Sequence, residues 1–159
     1  MLHPILSFGA LGASVDDGWD GWRNALAWNG LRVFDAPLFR VQHIHDVAGV
    51  EIAGALKNVV AFGAGFVDAL GMGGDTKAAL IQVGLLEMAR FGCMFFLGVR
   101  NTTWVESCGV TDLIIACYGE RNQKCAEAFA KERLEQQHKG GKPDTPEECQ
   151  QRWVRLEKE

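Results

Sequence analysis

Past Asp46 the apolar residues recur at helical spacing, and the stretch "GALKNVVAFGAGFVDALG" (Gly54–Gly71) is apolar around most of its circumference. Projected at 100° per residue, Gly54, Ala61, Ala64, Gly65 and Asp68 share one strip with Lys57, while Ile52, Leu56, Val59, Val60, Phe66, Val67 and Leu70 cover much of the rest. That distribution predicts a buried helix from about Val47 or Gly49 to Leu70. A competing reading runs a strand "NVVAF" into a glycine turn "GAGFVD", the opening of a dinucleotide-binding unit. Its third glycine position holds Asp68, and no turn signal isolates a short strand upstream. The helix is favoured. Each glycine costs it about 1 kcal/mol against alanine, so the strip is expected to admit a second backbone, or a ligand, at close range. Lys57 lies beside that gap, either as an amine placed for chemistry or as a lysine that snorkels outward or pairs with a carboxylate.

The next break is "GMGGD", after which Asp75 or Thr76 can cap a second helix, "TKAALIQVGLLEMARF", ended by Gly92. Thr103 and Glu106 have capping-box spacing. "TDLIIACYG" follows as a short apolar helix with Thr111 as cap and Gly119 as stop, and an amphipathic helix starts near Asn122. "GGKPD" is a linker. Thr145, Pro146 and Glu148 then give N-cap, first helical position and box closure for a last helix. Ahead of all this, "LFRVQHIHD" (Leu38–Asp46) alternates as a short strand does and puts His43 and His45 on one face; with no third metal ligand in view, two solvent-facing histidines are expected rather than a metal pair. Residues 1–33, with the Trp-rich "DDGWDGWRNALAWNG", show no sustained period; they are expected to be loosely ordered or to pack a few tryptophans on the body. The prediction is an all-α domain with a minor extended segment before it.

Bulk properties narrow the partners. A chain of 159 residues fits one domain, and a net charge of −4 disfavours nucleic acid. Five cysteines, an odd number without a Cys-x-x-Cys, suit free thiols in a reducing compartment, and the cytoplasm is expected. Met1–Ala13 lacks Lys and Arg and makes a poor secretory signal. Asp68, Glu87 and Arg90 interrupt the apolar runs, so no membrane span is expected.

Three polar features stand out in the apolar frame: Lys57–Asn58, Asp112 and Arg121–Asn122. Asp112 suits the dipole at a helix start. Arg121 at a helix start opposes the dipole unless an anion is bound, and free backbone N–H groups, an Arg fork and an Asn amide together suit a phosphate or carboxylate; the plainer alternative is an exposed pair reaching solvent or Glu120. Taken together they describe an amine, a carboxylate and an anion clamp, fit for proton-coupled chemistry on a small phosphorylated carbonyl or alcohol.

"GVEIAGALKNVVAFGAGFVDALGMGGDTKAALIQVGLLEM" and "ESCGVTDLIIACYGERNQKCAEAFA" closely resemble the C-terminal domain of NAD-dependent glycerol-3-phosphate dehydrogenase, from about Phe34 to Ala130. The resemblance implies a helical domain of the 6-phosphogluconate dehydrogenase C-terminal type spanning 34–159, with residues 1–33 unassigned and without the Rossmann domain that carries NAD in that family. It implies interconversion of dihydroxyacetone phosphate and glycerol 3-phosphate, and a homodimer. By the same resemblance Lys57 is the catalytic acid/base, Asn58 and Asp112 belong to the substrate site, and Arg121 and Asn122 meet the substrate phosphate, Arg121 also lying near NAD.

Departures from the family are Ala69 and Asp75 in place of Gly and Asn, Ala116 in place of a small polar residue, and Glu120 in place of Gly or Ser. Glu120 puts an anion beside the phosphate clamp and could occupy Arg121. The family's Gln-rich, cofactor-holding segment is not evident in "LEQQHKGGKPDTPEECQQ", and no strand–GxGxxG–helix unit precedes the domain; "FGALGAS" is too short. The chain is therefore expected to be an incomplete or detached substrate domain, inactive alone. The alternative is a non-catalytic helical module that binds protein through a former dimer or domain surface.

Overall fold

In the computed structural model, residues 5–9, 29–30, 33–37 and 40–158 are described. The tryptophan-rich stretch expected to pack on the body lies almost wholly outside them. Two parallel strands, β1 (Ile5–Gly9) and β2 (Arg40–Ile44), pair from Ile5 opposite Arg40 to Gly9 opposite Ile44. Helices α1 (Val47–Ala69), α2 (Gly74–Phe95), α3 (Asp112–Cys117), α4 (Arg121–His138) and α5 (Pro146–Leu156) follow, with a 3₁₀ turn (Asn101–Val105) and a π turn (Ser107–Thr111) between α2 and α3. The fold is mostly helical. The strand predicted within Leu38–Asp46 is β2; β1 was not expected, because "ILSFG" is too short to establish a period. His45 lies just past β2 and is exposed, and among the described residues no three His, Cys, Asp or Glu side chains gather as a metal would require.

The chain divides into two compact units: residues 1–55 with 88–112, and residues 56–87 with 113–159. In the first, Asp46 is the organising residue. It is 5 % exposed, and its carboxylate accepts from the Gly49 N–H at 2.8 Å, capping α1, from the Arg100 N–H at 2.8 Å and from the Thr103 hydroxyl at 2.6 Å. Thr103 thus serves Asp46, and the Thr103–Glu106 capping box expected from spacing gives way to a 3₁₀ turn. Burial pushes the Asp46 carboxyl up, but the hydrogen bonds from Thr103, Arg100 and Gly49 outweigh it and the net shift is downward. A carboxyl with a lowered folded pKa contributes stability above its unfolded pKa and loses that contribution as pH falls through the folded value. Asp46→Ala should therefore cost about 1–3 kcal/mol at pH 7, a gap that closes on acidification below about pH 4; urea melts at both pH values measure it.

The same unit corrects the predicted end of α2. The helix runs through Gly92 to Phe95, and the left-handed glycine after it is Gly98, φ +86°. Gly92 instead makes room for a neighbour, since a Cβ there would lie 2.7 Å from Cζ2 of Trp104, which is 3 % exposed.

In the second unit the close approach expected along the lysine strip occurs at Gly65. A Cβ there would lie 2.7 Å from the Ala126 Cβ and 2.8 Å from the Glu127 N, and would also strike the Gln123 carbonyl oxygen. Small buried residues Ala61, Ala64 and Ala126 accompany that contact. Gly84 similarly admits Val60. Helix α5 begins with the predicted box, Thr145 Oγ1 accepting from the Glu148 N–H at 3.3 Å and Glu148 Oε2 from the Thr145 N–H at 2.8 Å. Trp153 of α5 stacks near Phe62 at 4.9 Å and Phe129 at 6.0 Å. Arg152 ties Asp144 at 2.9 Å to Glu132 at 2.8 Å.

Helix α1 is not covered on every side, contrary to its composition: Val59 is 66 % and Leu70 55 % exposed. By length and composition α1 and α2 could each cross a membrane, against the expectation from their interrupting charges; core helices of water-soluble proteins satisfy the same criterion.

Candidate functional site

The second unit brings three of the expected residues together where α4 begins against α1. Lys57 and Asn58 are adjacent near the middle of α1, and the Lys57 side chain is 18 % exposed. Asn58 Oδ1 accepts from Asn122 Nδ2 at 2.6 Å, which pins the first turn of α4 to the middle of α1. The Lys57 Nζ lies 3.8 Å from Glu120 Oε2.

Arg121 goes elsewhere. Its side chain is 73 % exposed and its guanidinium pairs with Glu157 at 3.8 Å. The Glu120–Arg121 pairing considered from sequence is replaced by two separate pairs, Glu120 with Lys57 and Arg121 with Glu157. Glu120 is the N-cap of α4, but its side chain makes no capping bond. A helix start beside an amine and an amide suits an anionic ligand. Asp112 closes the first unit; it is half-buried and heads α3.

A polar cluster deeper in the second unit was missed from sequence. Lys77 of α2, 6 % exposed, donates to Asp68 Oδ2 at 2.6 Å and lies 4.2 Å from the ring centre of Tyr118. Gln123 Nε2 donates to the same Asp68 oxygen at 2.6 Å and to Glu127 Oε2 at 3.0 Å. Asp68 so links α1, α2 and α4, meeting α4 one residue along from Asn122. The signal was present: Asp68 and Lys77 flank the glycine turn, and a tight turn between antiparallel helices sets such positions face to face. Nearby, burial pushes the Cys117 thiol up, with Asp68 and Glu120 adding to the effect and Lys77 opposing it. Lys77→Met should leave the Asp68 anion half-buried and short of its cation, at a cost of about 2 kcal/mol; a lowered urea midpoint with an unchanged slope checks it.

The family model described as NAD-dependent glycerol-3-phosphate dehydrogenase C-terminus matches residues 46–151. The chain belongs to that family. It is 56 % identical over 100 residues to the cytoplasmic enzyme of Homo sapiens, a match covering 62 % of this chain and 29 % of that protein. It is 50 % identical over 116 residues to a chloroplastic enzyme of Arabidopsis thaliana, covering 73 % and 29 %. Among solved structures, DsGPDH of Dunaliella salina superposes with a TM-score of 0.70 at 37 % identity, over 88 % of this chain and 24 % of that one. The chain thus spans under a third of the length of these relatives, two of which are named for different compartments, the cytoplasm and the chloroplast.

Proposed function

We propose that this chain is the substrate-binding and catalytic domain of an NAD-dependent glycerol-3-phosphate dehydrogenase acting on dihydroxyacetone phosphate and glycerol 3-phosphate, in the cytoplasm. The observation that supports it is the Lys57, Asn58 and Asn122 cluster at the start of α4, in family motifs. In this reading the Lys57 ammonium hydrogen-bonds the substrate's C2 oxygen and gives or takes its proton. Asn58 borders the substrate, and Asn122 and Arg121 with the α4 N-terminus receive the phosphate. Arg121 reaches it by leaving Glu157, a change within the range of a long, exposed side chain. Asp112 enters as a substrate-site residue by the resemblance.

NAD accepts or supplies the hydride in such enzymes. Among the described residues, the strand-to-helix turn from β2 to α1 does not fit it: it carries a buried carboxylate, Asp46, on the helix N-terminus, where a pyrophosphate would need free N–H groups. In this reading NAD is held mainly by a nucleotide-binding domain other than the helical one. The chain alone should show negligible NADH oxidation with dihydroxyacetone phosphate, and addition or fusion of a family nucleotide-binding domain should restore it. Ordinary enzymic turnover by the chain alone, or none after fusion, would contradict the reading.

A second reading, a dimerisation or protein-binding module, draws on one observation: Met94, Phe95, Phe96 and Leu97 are consecutive and exposed, Leu97 fully.

A further inference from the structure

We propose that Gln123 is a positioning residue, which through Asp68 sets where Asn122 and the start of α4 stand against Lys57 and Asn58. The proposal rests on the substrate reading above and adds to it a residue that does not itself touch the ligand. Gln123 is 4 % exposed. Its Nε2 donates to Asp68 Oδ2 at 2.6 Å and to Glu127 Oε2 at 3.0 Å. Both amide hydrogens thus go to carboxylates, which fixes the direction of the amide. Asn122, the preceding residue, donates to Asn58 Oδ1 at 2.6 Å.

The two anchors on α1 are well separated. Asn58 and Asp68 lie ten residues apart on that helix, about 15 Å along its axis, whereas side chains of consecutive residues leave α4 about 100° apart. Gly65, between the anchors, lets the Gln123 carbonyl come against α1 itself. Two bonds that pull neighbouring residues of α4 in different directions, with a backbone contact between them, fix both its place along α1 and its rotation about its own axis. The Asn58–Asn122 bond alone would leave the rotation open.

Gln123 is not needed to balance charge. Asp68 Oδ2 also accepts from Lys77 at 2.6 Å, and Glu127 Oε1 accepts from Lys131 at 2.6 Å. Each carboxylate keeps a cation when the Gln123 amide is removed. Lys77 is the reverse case: it holds Asp68 to α2, and its loss leaves Asp68 bonded to Gln123. Two donors on one carboxylate oxygen therefore serve different ends, Lys77 the stability of the unit and Gln123 the geometry of the site.

The test compares the 159-residue chain with Gln123→Met and Lys77→Met. Urea melts, NMR of the Asn58 and Asn122 side-chain amides, and calorimetric titration with glycerol 3-phosphate are read for each. Gln123→Met should melt cooperatively, shift both amides in the free protein and bind glycerol 3-phosphate about three- to tenfold more weakly, the worth of one loosened hydrogen-bonding group. Lys77→Met should lower the urea midpoint and leave the amides and the affinity unchanged. A role in folding alone predicts instead that affinity falls only as stability falls. Unshifted amides and parent-like binding in Gln123→Met overturn the proposal. If Gln123→Met does not fold, Gln123→Asn, one methylene shorter and still a donor, reads the same quantities; loss of folding in both makes Gln123 structural and also overturns it. Failure of the parent chain to bind glycerol 3-phosphate overturns the substrate reading instead, and the amide shifts of the free proteins still decide whether Gln123 positions Asn122.

Discussion

Gly65→Val is expected to abolish cooperative folding of this chain, or to destabilise it by about 4 kcal/mol or more. The magnitude follows from what a side chain would strike. At Gly65 the obstacles are backbone atoms of α4, the Gln123 carbonyl and the Glu127 amide, together with the Ala126 methyl. None is the end of a flexible side chain. Room could be made only by moving α4 off α1, which would break the Asn58–Asn122 and Asp68–Gln123 bonds across the same contact. Gly54→Ala is the matched control: a Cβ there meets nothing within 4 Å, and the helix should gain up to about 1 kcal/mol. Urea denaturation of both variants measures the contrast. Similar midpoints would mean that α1 and α4 do not pack at Gly65.

Lys57→Ala, in the chain fused to a family nucleotide-binding domain, should lower kcat by about 10²- to 10⁴-fold, the usual worth of a positioned acid/base. The substitution removes the amine and leaves the Asn58–Asn122 bond, so the first turn of α4 should keep its place. Folding, read by circular dichroism and urea melts, should remain cooperative, the ion pair with Glu120 being long and partly exposed. A fall in kcat with stability preserved separates chemistry from structure. Unchanged kcat would remove Lys57 from the reaction.

What could be read from sequence was local, and what could not was tertiary. The Thr145–Glu148 box needs only four consecutive residues, and it forms as expected. Helix α1 and the close approach along its lysine strip followed from composition and spacing, since glycines in so apolar a helix call for a neighbour. Gly92 misled because a helix stop and a packing contact look alike in one dimension; only Trp104, further along the chain, tells them apart. Thr103 misled for the same reason, its hydroxyl engaged by Asp46 far upstream. At the candidate site, Lys57, Asn58 and Asn122 were legible through their motifs and are brought together, whereas the partner of each charge was not. Glu120 was weighed as a rival for Arg121 and is found at Lys57, and Arg121 is found at Glu157. Those choices depend on how α4 and α5 dock, which no short stretch of sequence encodes.

If Lys57, Asn58 and Asn122 form one site for a triose phosphate ester, the ligand must perturb all three together. The direct test is an NMR titration of the isotopically labelled chain with glycerol 3-phosphate, following the side-chain amides of Asn58 and Asn122 and the backbone N–H groups of Arg121 and Asn122. Saturable shifts at these positions, absent with glycerol and lost in Lys57→Ala, are the predicted result. Shifts confined to residues elsewhere, or unaltered by the loss of the Lys57 amine, would contradict it.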